Sequence, residues 1–359
     1  MKILTIIGAR PQFIKLAPVS REIRKEHQEV LVHTGQHYDD YMSKIFFEEL
    51  NIPKPDYNLG IGSASHGKQT GEMLIEIEKV ILHEKPNYVI VYGDTNSTIA
   101  GALASSKLHV PLIHVEAGLR SYNKKMPEEQ NRILTDHISD ILLCPTQTAV
   151  KNLRQEGIIE GVYNIGDIMY DSVLYNYKIA EKKSNILNKL YLENDGYYLA
   201  TVHRAENTDK KNKLLTILEA FNELDKPVIF PIHPRTNSKL EQYGKETNIY
   251  QNVRFIQPVS YLDMINLIAG CKKVLTDSGG LQKEAYFLDT PCITLRNQTE
   301  WVETLKNNWN ILVKIKKEEI LEKVSAQNTE NIDKDNNYFG DGKAAKKLLN
   351  IISNYSNEI

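Results

Sequence analysis

Short runs of β-branched and apolar residues alternate along this chain with longer segments whose apolar positions recur every three to four residues. KILTII, EVLVH, NYVIVYG, PLIHV and ILLC are each followed by a stretch with helical spacing, and after residue 165 the series restarts with YYLATV, PVIFPI, NVRFI, KVLT, PCITL and NILV. Apolar strand runs separated by helix-length segments are the pattern of βαβ units and a parallel sheet. The pattern predicts two α/β sheets in tandem, with a polar, Asn/Lys-rich helical stretch from about Tyr170 to Leu192 at the junction. Residues 327–342 carry the turn chemistry of an exposed loop, and KAAKKLLNIISNY makes a last amphipathic helix.

The length agrees, since 359 residues suit two cores better than one. A formal net charge of −2, without a basic stripe, disfavours nucleic acid or an anionic membrane as the main partner. Cys144, Cys271 and Cys292 sit far apart in apolar runs without C-x-x-C spacing, so they read as small buried hydrophobes in a reducing compartment. The apolar start MKILTII is too short for a signal peptide or a spanning helix, which points to the cytoplasm.

Two motifs look chemical and fail on inspection. GSASHGK at 62–68 matches the start of a phosphate-binding P-loop, but Gln69 stands where Ser or Thr would hold Mg²⁺, and the preceding PDYNLGI is a poor strand. The ten histidines show no zinc spacing, so no metal is predicted.

In an open parallel sheet, ligands bind beyond the carboxyl ends of the strands, and the polar residues placed there form a coherent set. In the first half these are Arg10 and Lys15 after the first strand, Gln36 and His37 after the second, Asp94 after VIVYG, and Glu116 and Arg120 after LIHV. In the second half they are His203, Arg204 and Glu206, then His233 and Arg235. Asp94 is equally suited to capping the helix that follows. Glu116 gains little from capping and reads as functional, while Glu128 and Glu129 lie near a helix start where the dipole alone would favour them. In VLTDSGGLQKEA, Ser278 or Asp277 can cap a helix while Gly279 and Gly280 present backbone N–H groups, a site for a phosphate. Glu284 follows at a distance where it can accept from the hydroxyls of a ribose, which together implies a nucleotide-activated compound.

The set GARPQFIK, GQHYD, VYGDTNST, HVEAGLRS, MPEEQNR, VHRAENT, DSGGLQKEA and QTEWVE resembles the non-hydrolysing UDP-N-acetylglucosamine 2-epimerase family over nearly the whole chain. The resemblance implies two Rossmann-like domains in a GT-B-type α/β architecture, at 1–168 and 169–340, with the active site in the interdomain cleft. A C-terminal helix over 341–359 returns to the first domain, and the protein is usually a homodimer. It implies elimination of UDP to a glycal and re-addition with inversion at C2, without a redox cofactor. Asp94, Glu116, Glu128 and His203 match the family's acid/base candidates. Arg10, His203, Ser278 and Gly279 would stabilise the diphosphate, Lys15 would support the first loop, Glu284 would take the ribose, and His37, Arg204, His233 and Gly280 complete the UDP-sugar contacts. Trp301-Val302 replaces the common Arg-Pro, Lys68-Gln69 stands where the activator-binding form has Arg-Gln, and QHYDD replaces QHRQM. These departures count against allosteric activation by UDP-GlcNAc, while ARPQFIK, the SHG-type loop before the helix at 68 and QTEWVE look closest to the branch acting on UDP-2,3-diacetamido-2,3-dideoxyglucuronate in O-antigen and related surface-polysaccharide pathways. A uronate would want a cation near C6, for which Arg296 and Arg120 are the candidates. UDP-GlcNAc is the alternative substrate, and a GT-B glycosyltransferase or a hydrolysing relative the remoter readings.

Overall fold

The computed structural model describes residues 1–36, 47–244, 246–326 and 337–355. His37 and most of the predicted 327–342 loop lie outside the described residues. The chain divides into two compact units, residues 1–172 with 337–359, and residues 173–336.

The first unit is built on a sheet of β1 (Lys2–Ile7), β2 (Gln28–His33), β3 (Tyr57–Asn58), β4 (Tyr88–Tyr92), β5 (Leu112–Val115), β6 (Ile141–Cys144) and β7 (Val162–Asn164), in the order β3-β2-β1-β4-β5-β6-β7. All described pairings are parallel. Helices cover parallel sheets on both faces, which is why β1, β4, β5 and β6 are continuous apolar runs. The edge strands β3 and β7 are two and three residues long and are mostly exposed or half-buried. The connecting helices are α1 (Arg10–Glu26), α2 (His66–Glu84), α3 (Asn96–Lys107), α4 (Pro127–Ile138) and α5 (Gln147–Gln155), and α6 (Ile168–Lys183) begins in this unit and ends in the second. Helix α3 carries Ala, Gly and Ser where others carry Leu, because it lies close against the sheet. A Cβ on Gly101 would stand 2.7 Å from Ile6 Cδ1.

The second unit repeats the plan with β8 (Tyr198–Thr201), β9 (Val228–Pro231), β10 (Val253–Ile256), β11 (Lys273–Thr276), β12 (Cys292–Thr294) and β13 (Asn310–Leu312), in the order β10-β9-β8-β11-β12-β13. Tyr198 and Ala200 pack into one core with Leu214, Phe221 and Ile320, while their neighbours Tyr197 and Leu199 pack into another with Leu267, Ile268 and Ala285. The period of two along a strand thus feeds two cores from one sheet. Its helices are α7 (Ile186–Leu190), α8 (Ala205–Thr208), α9 (Lys211–Asn222), α10 (Pro234–Gln242), α11 (Tyr261–Gly270), α12 (Gly279–Phe287) and α13 (Lys317–Ser325). The predicted helix from Tyr170 to Leu192 is two helices, α6 and α7, parted near Ser184. The strand order in each sheet reverses direction once, between β1 and β4 and between β8 and β11, which makes those two edges the places to look for ligands.

The last helix, α14 (Ala344–Tyr355), belongs to the first unit and packs on α1. Asp171 accepts from the N–H groups of Ala344 and Ala345 at 3.0 and 2.9 Å, capping α14 from a distant part of the chain. Just before it, Asp167 N–H donates to Phe339 O at 2.8 Å. This junction needs glycine: Gly166 has φ +88°, and a Cβ there would meet Phe339 O at 2.7 Å and Gly340 Cα at 2.9 Å. Gly166→Ala is therefore expected to cost about 2–3 kcal/mol, seen in a thermal melt as a fall of about 4–8 °C. An unchanged midpoint would show that the junction relaxes without strain.

Candidate functional site

At the switch point of the first sheet, the β1 loop is held by Gln12. Its Oε1 accepts from Gly8 and Ala9 N–H at 2.7 and 2.9 Å, and its Nε2 donates to Tyr92 O at 2.9 Å, joining β1 to the end of β4. Gly8 leaves room for two hydroxyls, since a Cβ there would clash with both Ser97 Oγ and Thr34 Oγ1. Arg10 is the first residue of α1, and Lys15 lies one turn further along the same helix.

Strand β5 ends directly at Glu116, which adopts φ +72°. A non-glycine residue held in the left-handed region costs on the order of 1–3 kcal/mol and persists only where its surroundings fix it. Here Glu116 and Ala117 N–H both donate to Leu143 O, at 3.0 and 3.1 Å, and the carboxylate pairs with Lys15 Nζ. Both side chains are about nine-tenths buried.

Strand β4 ends at Gly93, with φ +62°, and Asp94 follows. Asp94 does not cap α3. Thr95 does, accepting from Thr98 N–H at 3.3 Å. Asp94 is left to pair with Arg132 Nη2 and keeps 29% of its side chain exposed. Burial raises the Asp94 carboxyl above the usual aspartate range, opposed by Arg132 and reinforced by the charge of Glu116.

Arg132 was not singled out in the sequence. It also reaches Glu129 at 2.6 Å, and Glu129 accepts from Ser121 N–H and Oγ at 2.9 Å and from Tyr122 N–H at 2.8 Å. Burial works against ionisation of Glu129, but these donors outweigh it and hold the carboxyl below the usual glutamate range. Of the adjacent glutamates, Glu129 is thus a buried strut and Glu128 is exposed.

In the second unit, Asp277 follows β11 and is fully buried. It does not cap α12 either. Its carboxylate accepts from His203 N–H at 3.1 Å, Arg204 N–H at 3.0 Å and Asn207 Nδ2 at 3.1 Å, locking the loop after β8 to the loop after β11. Ser278 takes the cap, accepting from Leu281 N–H at 3.5 Å. Gly279 and Gly280 then form the first turn of α12, whose N–H groups have no helical carbonyl to meet. A Cβ on Gly279 would stand 2.7 Å from Glu300 Oε1. The segment bearing Glu300 and Trp301 is pinned on α12: Thr299 Oγ1 donates to Gln282 Oε1 at 2.8 Å, and Lys283 Nζ stands 3.7 Å from the centre of the Trp301 ring. Glu284, one turn along, is buried.

His203 and His233 have ring centres 5.4 Å apart, with His233 exposed at the start of α10 and its Nδ1 accepting from Arg235 N–H at 3.1 Å. The two cations proposed for a uronate part company. Arg120 is committed to Asp136 at 2.7 Å and to both oxygens of Glu156 at 2.7 Å, so it is a buried structural residue. Arg296 lines a cavity of about 440 Å³ with Glu206, Lys213, Lys316 and Glu319. It donates to Glu300 at 3.2 Å, and its buried Nε, without a hydrogen-bond partner among the described residues, stands 3.7 Å from Glu206 Oε1.

The P-loop look-alike belongs to the start of α2. Lys68 is exposed 3.7 Å from Glu72, while Gln69 turns back to Gly62 O at 2.8 Å and accepts from Asn96 Nδ2 at 2.7 Å. The three cysteines are buried free thiols, all pushed up by burial, Cys292 to about 12. Among the described residues no cluster of metal-ligating side chains is found, and no helix is long and apolar enough to cross a membrane.

The profile of the UDP-N-acetylglucosamine 2-epimerase family matches residues 21–353. A UDP-N-acetylglucosamine 2-epimerase homolog of Methanococcus maripaludis is 59% identical over 99% of this chain and 100% of its own. The UDP-2,3-diacetamido-2,3-dideoxy-D-glucuronate 2-epimerase of Pseudomonas aeruginosa is 50% identical over 98% of this chain and 99% of its own. Among solved structures, Methanocaldococcus jannaschii UDP-GlcNAc 2-epimerase in complex with UDP-GlcNAc and UDP superposes with a TM-score of 0.88 at 46% identity, over 98% of this chain and 99% of that one. With two Rossmann-type sheets, charged side chains gathered at both switch points and similarity along its whole length, this chain belongs to the UDP-N-acetylglucosamine 2-epimerase family and is an enzyme of that type.

Proposed function

We propose that the enzyme inverts C2 of a UDP-activated 2-acetamido sugar by eliminating UDP and adding it back. A base takes the proton at C2 while the C1–O bond breaks and its electron pair leaves with UDP, giving a C1=C2 glycal. Re-addition of UDP at C1 and protonation of C2 from the opposite face complete the inversion. Proton removal on one face and return on the other need two positioned acid/base groups. The observation that carries this reading is the pair Asp94 and Glu116, at the ends of adjacent strands and each matched to its own cation, Arg132 and Lys15. Glu128 and His203 complete the acid/base set. Arg10, His203, Arg204, Ser278, Gly279 and Gly280 receive the diphosphate through charge and backbone N–H groups. Glu284 accepts from the ribose, with His37 and His233 as further contacts.

The favoured substrate is UDP-2,3-diacetamido-2,3-dideoxy-D-glucuronate, converted to its mannuronate form for a surface polysaccharide in the cytoplasm, by a homodimer. The half-identical P. aeruginosa relative supports it, with Arg296 as the cation for the uronate carboxylate. The second reading, UDP-GlcNAc to UDP-ManNAc, is favoured by the likeness to the M. jannaschii enzyme in complex with UDP-GlcNAc.

Asp94→Asn and Glu116→Gln should each lower turnover by roughly 10²-fold or more while UDP affinity by calorimetry stays within a few-fold. Near-normal turnover would make both residues structural. Glu284→Ala should weaken UDP binding by about tenfold or more, and unchanged affinity would remove its ribose role. Arg296→Gln should raise KM for the uronate by about tenfold and leave KM for UDP-GlcNAc alone. An equal effect on both would sink Arg296 as the uronate cation.

A further inference from the structure

Behind the first sheet's switch point lies a charged network that the reaction above does not use. His114, on β5, is fully buried, and so is Asp136, on α4. His114 Nε2 stands 2.7 Å from Gly93 O, and Nδ1 stands 2.7 Å from Asp136 Oδ1. The other oxygen of Asp136 accepts from Arg120 Nη1 at 2.7 Å and from Gly118 N–H at 3.1 Å. A carbonyl oxygen can only accept, so Nε2–H of His114 donates to Gly93 O, while Nδ1 lies against the carboxylate that Arg120 and Gly118 also hold.

The consequence is positional. Gly93 immediately precedes Asp94, and Gly118 lies two residues after Glu116. Both turns carry positive-φ backbone, at Gly93, Glu116 and Gly118, that local preference does not hold in place. A Cβ on Gly93 would stand 3.3 Å from Glu116 Oε2, so the two turns touch at the carboxylate itself. We propose that Asp136 is a positioning residue: through His114 it fixes the turn that bears Asp94, and directly it fixes the turn that bears Glu116. The role rests on the reading of those two carboxylates as the acid/base pair. Asp136 touches neither substrate nor reacting atoms. It sets the separation and aim of two groups that must serve opposite faces of one ring, where a displacement of about 1 Å can cost roughly 10²-fold in rate.

The test is Asp136→Asn in the full-length enzyme, with His114→Gln as the milder variant should the first not fold. Two readouts are compared: C2 deuterium exchange with each UDP-sugar, resolved into kcat and KM, and UDP affinity. The proposal expects kcat for exchange to fall at least about tenfold at unchanged KM, with UDP affinity and binding stoichiometry unchanged. Exchange within twofold of the unaltered enzyme overturns it. An unaltered enzyme that shows no exchange overturns the underlying reading, and the positioning role with it.

Discussion

The structure turns on the pairing of two carboxylates with two cations at one edge of the first sheet. Glu116 with Lys15, and Asp94 with Arg132, bring four charges together, three of them about nine-tenths buried or more and Asp94 partly open to solvent. Such groups are costly to bury alone and tolerable when paired. Lys15 comes from the helix after β1 and Arg132 from the helix after β5, so the pairing works only in a parallel sheet whose order reverses between β1 and β4. The glycines at 8 and 93, the left-handed Glu116 and the strut Glu129 all serve to bring these chains to the same spot.

The second unit solves a different problem with the same topology. Asp277 is buried and spends its carboxylate on backbone N–H groups of the loop after β8. That leaves Ser278 to cap α12 and the first-turn N–H groups of Gly279 and Gly280 to meet a guest anion. The first edge is rich in titratable side chains and suits proton transfer. The second offers backbone donors on a rigid turn and suits a diphosphate.

Much of this was legible in the chain. Long strands buried on both faces announce themselves as unbroken apolar runs, and polar residues at their carboxyl ends announce a site, so Lys15, Asp94, Glu116, Ser278 and Gly279 could be collected before any fold was known. The edge strands Tyr57–Asn58 and Val162–Asn164 could not, because two or three partly exposed residues leave no pattern. Arg132 was hidden because Glu129 and Arg132, three apart on a helix, look like an ordinary surface pair. Ser278 and Asp277 both read as candidate caps, since a carboxylate before a helix gives the same signal whether it turns forward or back. Arg120 was the opposite case: an arginine at a strand end looks like a ligand group, and its partners Asp136 and Glu156 lie 16 and 36 residues away.

The central claim is that the chain moves the proton at C2 of a UDP-sugar. Proton NMR in D₂O, with UDP-GlcNAc and separately with UDP-2,3-diacetamido-2,3-dideoxy-D-glucuronate, tests it most directly. The account predicts deuterium at C2 together with appearance of the C2 epimer, and faster turnover of the uronate. Absence of exchange with both sugars would contradict it.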